Sequence, residues 1–225
     1  MTINNVTQYM VATKNGAQYI VPSKSVAITS LQAIAIIVMV IDHIGKAFYP
    51  DVIWFQVIGR IGMPMWPYFV VFGYRHTHNL KKYMERILIV AIAAQVPYQL
   101  LHGPELNEVF SLFAGLLVIS RKDIKTSILV YVICLGFNYF FGMTMWFINC
   151  IIVYYFVKER FQSVVIVLFF CIFALYNHPH QLFGIYGLVL IENLKEYVKY
   201  IPRWLKLGIY PIHYTIIYLL TLVIK

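Results

Sequence analysis

Near the end of one apolar run, LQAIAIIVMVIDHIGKAFY at residues 31–49, an acid, an imidazole and an amine fall within about one helical turn: Asp42, His43 and Lys46. An ionisable group inside hydrocarbon costs a few kcal/mol or more and is retained for function or by a partner. The chemistry such a set offers is proton transfer, because modest burial tunes an imidazole close to neutrality. Adjacent helical residues point about 100° apart, so Asp42 is poorly placed to orient His43. Two partners for Asp42 are feasible, Lys46 at i,i+4 on the same helix and Arg60 of GRIGMP in the next apolar segment; the depth match favours Arg60. His43 is then left as the base. The bland alternative is that Asp42, His43 and Arg60 only satisfy one another as a polar staple between helices.

A second constellation is YRHTHNLKKYMER, residues 74–86. Arg75, His76, His78, Lys81, Lys82 and Arg86 cluster there at the end of an apolar segment. Such a run is either a stop set by positive charge or a clamp for an anionic cofactor, since Arg and Lys bind phosphates well. His76 and His78 are two apart and diverge on a helix, which argues against a metal. His213, in YPIHY near the start of the last apolar segment, is placed where it suits cofactor contact. His178, His180 and His102 fall in polar turns where a solvated histidine is the default.

The elements that must position these groups are helices in a bilayer. Of 225 residues, 61% are hydrophobic and 12% charged, with mean hydropathy +0.74, against roughly a quarter charged in soluble domains. The fold expected is an all-α polytopic transmembrane bundle of about nine segments, at 28–49, 52–74, 87–101, 109–120, 127–141, 143–157, 163–176, 181–191 and 207–224. Several fall short of the ~20 residues that cross a bilayer. The short pieces around Val109 and Gln181 suggest half-helices lining an internal cavity. Residues 1–26 read as a short cytoplasmic polar tail without a cleavable signal, and 27–225 as one membrane domain.

Charge sets the orientation. With the N-terminus inside, Arg75 to Arg86, then Arg121, Lys122 and Lys125, then Lys158 and Arg160, then Lys195, Lys199, Arg203 and Lys206 all lie on the cytoplasmic side. The opposite turns carry Asp51, Glu105 and Glu108. Tyr49, Trp54, Tyr74, Tyr98, Trp204 and Tyr210 read as interface anchors. A formal charge of +9 is explained by these loops and needs no nucleic acid. Cys134, Cys150 and Cys171 sit in apolar runs at no metal-ligand spacing. No phosphate-binding glycine loop, dinucleotide fingerprint or convincing internal repeat is present.

The ordered set IAIIVMVIDH, GRIGMPMWPYFVVFGYRHTHN, RILIVAIAAQVPY, FGIYGLVLI and IYPIHYTIIYLL resembles the TraX family, the F-type conjugative pilin acetylases, over nearly all of the chain after Ser25. That family looks like a branch of the wider membrane acyltransferases. The resemblance implies acetyl transfer from acetyl-coenzyme A to an acceptor outside the cytoplasm, in the inner membrane. For F-type members the acceptor is the N-terminal amine of mature pilin. It implies that His43 is the catalytic histidine, and that Arg60, Arg75, His76, His78 and His213 match other shared polar positions. Two further readings stay open: O-acetylation of a surface carbohydrate, and a proton-coupled transporter or structural protein without coenzyme A affinity.

Overall fold

A run of about twenty apolar residues has no use for water and satisfies its backbone internally only as a helix. The computed structural model accordingly shows helices at each of the nine apolar segments. It describes residues 9–14, 17–22, 30–175, 179–194 and 203–224, with side chains described over 31–175, 179–194 and 208–224. His178, Lys195 and Lys199, and the side chains of Arg203, Trp204 and Lys206, lie outside the described residues.

Within the expected polar tail, β1 (Tyr9–Lys14) pairs antiparallel with β2 (Ala17–Pro22), Lys14 opposite Ala17 and Tyr9 opposite Pro22. The bundle then runs α1 (Ser30–Phe48), α2 (Ile53–Gly62), α3 (Met65–His76), α4 (Leu80–His102), α5 (Glu108–Ile119), α6 (Ile124–Phe141), α7 (Met145–Phe156), α8 (Glu159–Leu175), a 3-10 turn at Pro179–Phe183, α9 (Gly184–Leu194) and α10 (Arg203–Ile224). Among the described residues, three helices, Leu31–Phe48, Leu80–His102 and Ile124–Phe141, are long and apolar enough to cross a membrane. From α1 onward the described residues form a helical membrane bundle.

The second apolar segment is two helices where one was expected. Met63 and Pro64 separate α2 from α3, and Pro64 and Pro67 lack the N–H groups an unbroken ladder would use there. Glycines let neighbours close on this broken element. Gly59 and Gly62 of α2 face Asp42 and Val38 of α1, and a Cβ at Gly62 would stand 2.8 Å from the Val38 methyl. Gly187 of α9 lies directly against the Ile61 carbonyl at the break.

The expectation of a short internal piece at Val109 has a structural counterpart. The chain after α4 folds back into the bundle, so that Asn107 donates to the Ala91 carbonyl at 2.8 Å and pairs with Gln95 at 2.8 Å. The same side chain caps α5 by accepting from Val109 N at 3.1 Å. Helix α5 therefore begins beside the middle of α4, which carries the Glu108 carboxylate inward. The principal core joins α1, α3, α5, α7, α8 and α9 around Met65, Leu116, Ile151, Ile166 and Phe170. By contrast α6 turns Ile128, Leu129, Val132 and Ile133 outward, as a helix facing lipid does.

Candidate active site

Asp42, His43 and Lys46 lie in the last two turns of α1, where a second aromatic core of Tyr98, Tyr210, Tyr214 and Met39 closes over them. Asp42 is 6% exposed, His43 5%, His213 5% and Tyr214 0%. Burial this deep requires each polar atom to find a partner.

For Asp42 the partners differ in rank from the sequence expectation. Lys46 Nζ is 2.6 Å from Oδ2, whereas Arg60 Nη1 stands 3.8 Å from Oδ1. The i,i+4 pair is the tight one and Arg60 sits at the edge of ion-pair range. Two complementary atoms are left over: Asp42 Oδ1, an acceptor, and Arg60 Nε, a donor, are both buried without a hydrogen bond. Gly59 makes this proximity of α1 and α2 possible, because any Cβ there would overlap the Asp42 side chain.

As the sequence indicated, Asp42 does not orient His43. Its Oδ2 is 3.9 Å from His43 Nε2, beyond hydrogen-bond length. The ring is held instead by α10. His43 Nδ1 lies 2.7 Å from His213 Nε2, and His43 Nε2 lies 2.9 Å from the Tyr214 hydroxyl. His213 Nδ1 in turn is 2.8 Å from the Ile209 carbonyl. His213, expected to suit cofactor contact, thus stands in the His43 site and not beside the basic run. The cause is α10, whose residues Tyr210, His213 and Tyr214 all turn toward α1 and α4.

Hydrogen-bond chemistry gives this chain one direction. A carbonyl oxygen only accepts, so His213 Nδ1 carries a proton and neutral His213 accepts at Nε2. His43 Nδ1 is then the donor of the 2.7 Å bond. The one lone pair of a neutral His43 is at Nε2, where the Tyr214 hydroxyl donates. A neighbour's hydrogen bond decides which imidazole nitrogen is basic, and here it is Nε2.

Three other groups surround the ring that sequence reasoning placed elsewhere. His102, expected in a solvated turn, is the last residue of α4; its ring is 4.8 Å from Tyr98, 5.7 Å from Tyr214 and 6.5 Å from His43. Tyr210, expected as an interface anchor, is buried and donates to Glu108 Oε2 at 2.5 Å. Glu108, expected in an outer turn, is carried inside by the fold-back at Asn107. The signals present in the sequence were the i,i+4 pairs Tyr98/His102 and Tyr210/Tyr214, which put each pair on one helix face.

The basic run is dispersed. Arg75 donates to the Tyr154 and Tyr155 carbonyls at 2.9 and 3.4 Å, closing the C-terminal end of α7. His76 bonds through Nδ1 to the Phe72 carbonyl at 2.7 Å and stacks on Phe72 with ring centroids 4.1 Å apart. His78, Lys81 and Lys82 are exposed. Lys81 borders an open recess of about 330 Å³ between α4 and α5, lined also by Leu80, Met84, Glu85, Leu88 and Phe113.

A profile described as "TraX protein" matches residues 27–221. The chain belongs to the TraX family. Over 72 residues it is 36% identical to the probable fimbrial assembly protein FimC, serogroup H1, of Dichelobacter nodosus, covering 30% of each chain. Over 66 residues it is 38% identical to an uncharacterized protein of Rickettsia prowazekii (strain Madrid E), covering 29% of this chain and 25% of that one. The chain spans less than a third of the length of these curated relatives. No solved structure matches it. The matched range contains the ends of α1 and α2 and the middle of α10, the elements that enclose His43.

Proposed function

We propose that this TraX-family chain is a membrane-embedded acetyltransferase. It moves an acetyl group from acetyl-coenzyme A to an acceptor on the outer side of the bacterial inner membrane, the N-terminal amine of a pilin. The observation that carries the reading is His43: a buried imidazole whose tautomer is set from one side by His213 and Ile209, so that Nε2 is the basic nitrogen. Membership of the family and the likeness to a protein named for fimbrial assembly support the acceptor class.

In this mechanism His43 Nε2 takes up the proton lost by the acceptor amine through the Tyr214 hydroxyl bonded to it. Tyr214 gives its own proton to Nε2 and receives the amine's, as the amine nitrogen bonds to the thioester carbonyl carbon. The C–S bond then breaks, and the proton passes to the departing thiolate. The buried, unpartnered Arg60 Nε–H is a donor available for the oxygen that gains charge in this step. Asp42 Oδ1 is free to accept from the incoming amine. The exposed ammonium groups of Lys81 and Lys82 suit the phosphates of coenzyme A, with the apolar recess beside Lys81 open to the pantetheine arm. Arg75 and His76 are occupied by backbone carbonyls, which leaves Lys81 and Lys82 as the cations of the run open to the donor.

The test is acetyl-coenzyme A binding and acetyl transfer by the purified chain in lipid nanodiscs, read by mass spectrometry on a pilin N-terminal peptide. Binding that weakens severalfold in a Lys81→Gln, Lys82→Gln chain, with transfer abolished by His43→Ala, is the expected result. A well-folded chain that neither binds the donor nor acetylates the peptide overturns the reading in favour of a relay or structural role. Transfer to a carbohydrate hydroxyl instead of the peptide would leave the chemistry standing and replace the acceptor.

A further inference from the structure

The polar chain around His43 does not end at Tyr214. Tyr214 and Tyr210 lie one turn apart on the same face of α10, their rings edge to face with centroids 5.2 Å apart. Tyr210 donates its own proton to Glu108 Oε2 at 2.5 Å, the short distance of a charge-assisted bond. Glu108 is at the first position of α5, and it reaches this place only because Asn107 is pinned to Ala91 and Gln95 in the middle of α4. A carboxylate drawn into a membrane bundle and joined to two tyrosines needs a reason.

Consider His43 when it holds a second proton. Nδ1 still donates to His213, so the new proton sits on Nε2, and Nε2 changes from acceptor to donor. Tyr214 must then accept from it, and the Tyr214 O–H turns toward the Tyr210 oxygen. Tyr210 keeps its proton on Glu108. All bonds now point from the imidazolium to the carboxylate, and one proton in total has been gained. In the neutral state the chain instead breaks between the two tyrosines, because both hydroxyls point away from each other. The geometry thus favours the charged form through hydrogen bonds that the neutral form lacks.

From this geometry we infer that Glu108 is the counter-charge of His43, coupled to it through the hydroxyls of Tyr210 and Tyr214, and that these three act as positioning residues for the imidazolium formed during acyl transfer. The inference rests on the reading of His43 as the base. Asp42, the nearer carboxylate, is already paired with Lys46 at 2.6 Å and makes no hydrogen bond to the ring. Among the described residues, the other charged or titratable groups acting on His43 are Lys46 of its own helix, Arg60 from α2, His102 from α4 and His213 from α10.

The experiment is titration of the His43 ring by nitrogen NMR in histidine-labelled protein in nanodiscs, assigned against His43→Gln. It needs no coenzyme A. Glu108→Gln keeps an acceptor for Tyr210 and removes the charge; it is expected to lower the pH at which His43 takes up its proton by about one pH unit. Tyr210→Phe and Tyr214→Phe leave the charge and cut the chain, and both are expected to move the midpoint in the same direction. A shift in Glu108→Gln with none in either tyrosine variant means simple through-space attraction and overturns the coupling, as does no shift in any. If Glu108→Gln does not fold, Glu108→Asp withdraws the carboxylate by one methylene and must also move the midpoint. Shifts in a chain that shows no acetyl transfer would uphold the coupling and sink the transferase reading alone.

Discussion

In the His43 cluster, residues from α1, α2, α4, α5 and α10 converge, and the ring itself is hydrogen-bonded at both nitrogens by α10. In the basic run at residues 74–86, the same residue types point in different directions: Arg75 to α7, His76 to its own helix, His78, Lys81 and Lys82 to the surface. Both stretches read as chemistry in the sequence. The difference between them is enclosure. A buried group is worth several kcal/mol to whatever it faces, whereas an exposed cation contributes a fraction of that through screened attraction. On the proposed reading, the first region serves the reaction and the second the capture of its charged donor.

The sharpest way to break the contrast is His43→Ala against Lys81→Gln, Lys82→Gln. Loss of a general base costs about 10² to 10⁴ in rate, so the first variant should abolish acetyl transfer while donor binding persists. The paired lysine variant should raise the donor concentration needed and leave the saturated rate close to normal. Equal losses of rate in the two would mean that the basic run takes part in the chemistry.

Next in size is Gly59→Ala. The added Cβ has no room beside Asp42, and overpacking of this kind costs about 1 to 3 kcal/mol. Thermal unfolding in detergent should show that loss. Because the displaced group is Asp42, transfer should fall further than stability alone explains. An alanine at Gly136 of α6, which faces open space, is the control and should be silent.

Arg75→Ala separates its two readings. As a clamp on α7 its loss leaves the Tyr155 carbonyl without that donor, and the Tyr154 carbonyl with Gln162 at 3.0 Å. The cost expected is about 1 to 2 kcal/mol, seen as a lower unfolding temperature, with donor affinity unchanged in the folded fraction. Weaker donor binding at full stability would return Arg75 to the phosphate site.

Much of this was legible because membranes constrain sequence strongly. Backbone satisfaction and hydropathy fix where helices stand, and each expected segment is helical. The break at Met63 and Pro64 was missed because GRIGMPMWP reads as continuous apolar sequence, although its two prolines are the cause. Asp42, His43 and Arg60 were legible from the cost of burying charge. His213 and Tyr214 were not tied to them, since no local pattern says that residues 170 positions apart share a hydrogen bond. His102 and Glu108 were assigned to turns by the polar HGPELNE around them. The fold-back at Asn107, a tertiary event, brings that polar segment inside.

The smallest effect sharpens the comparison at its exposed end. Asp123 precedes α6 as its N-cap, with Oδ1 accepting from Thr126 N at 2.8 Å and Oδ2 from the Thr126 hydroxyl at 2.7 Å. These two bonds, the backbone one first, hold its carboxyl below the ordinary value of 3.8. A carboxylate depressed in the folded state adds stability that is complete above its unfolded value and is lost as pH falls through its folded value. Asp123→Ala should therefore lower the unfolding temperature slightly at neutral pH, and the gap to wild type should close as pH falls below 3.8. Asp123→Asn keeps an acceptor without the charge, so its own capping contribution should be flat over the same range. A gap that stays constant down to the lowest pH would mean that the cap works by hydrogen bonding alone, and that in this protein charge contributes measurably only where the bundle encloses it.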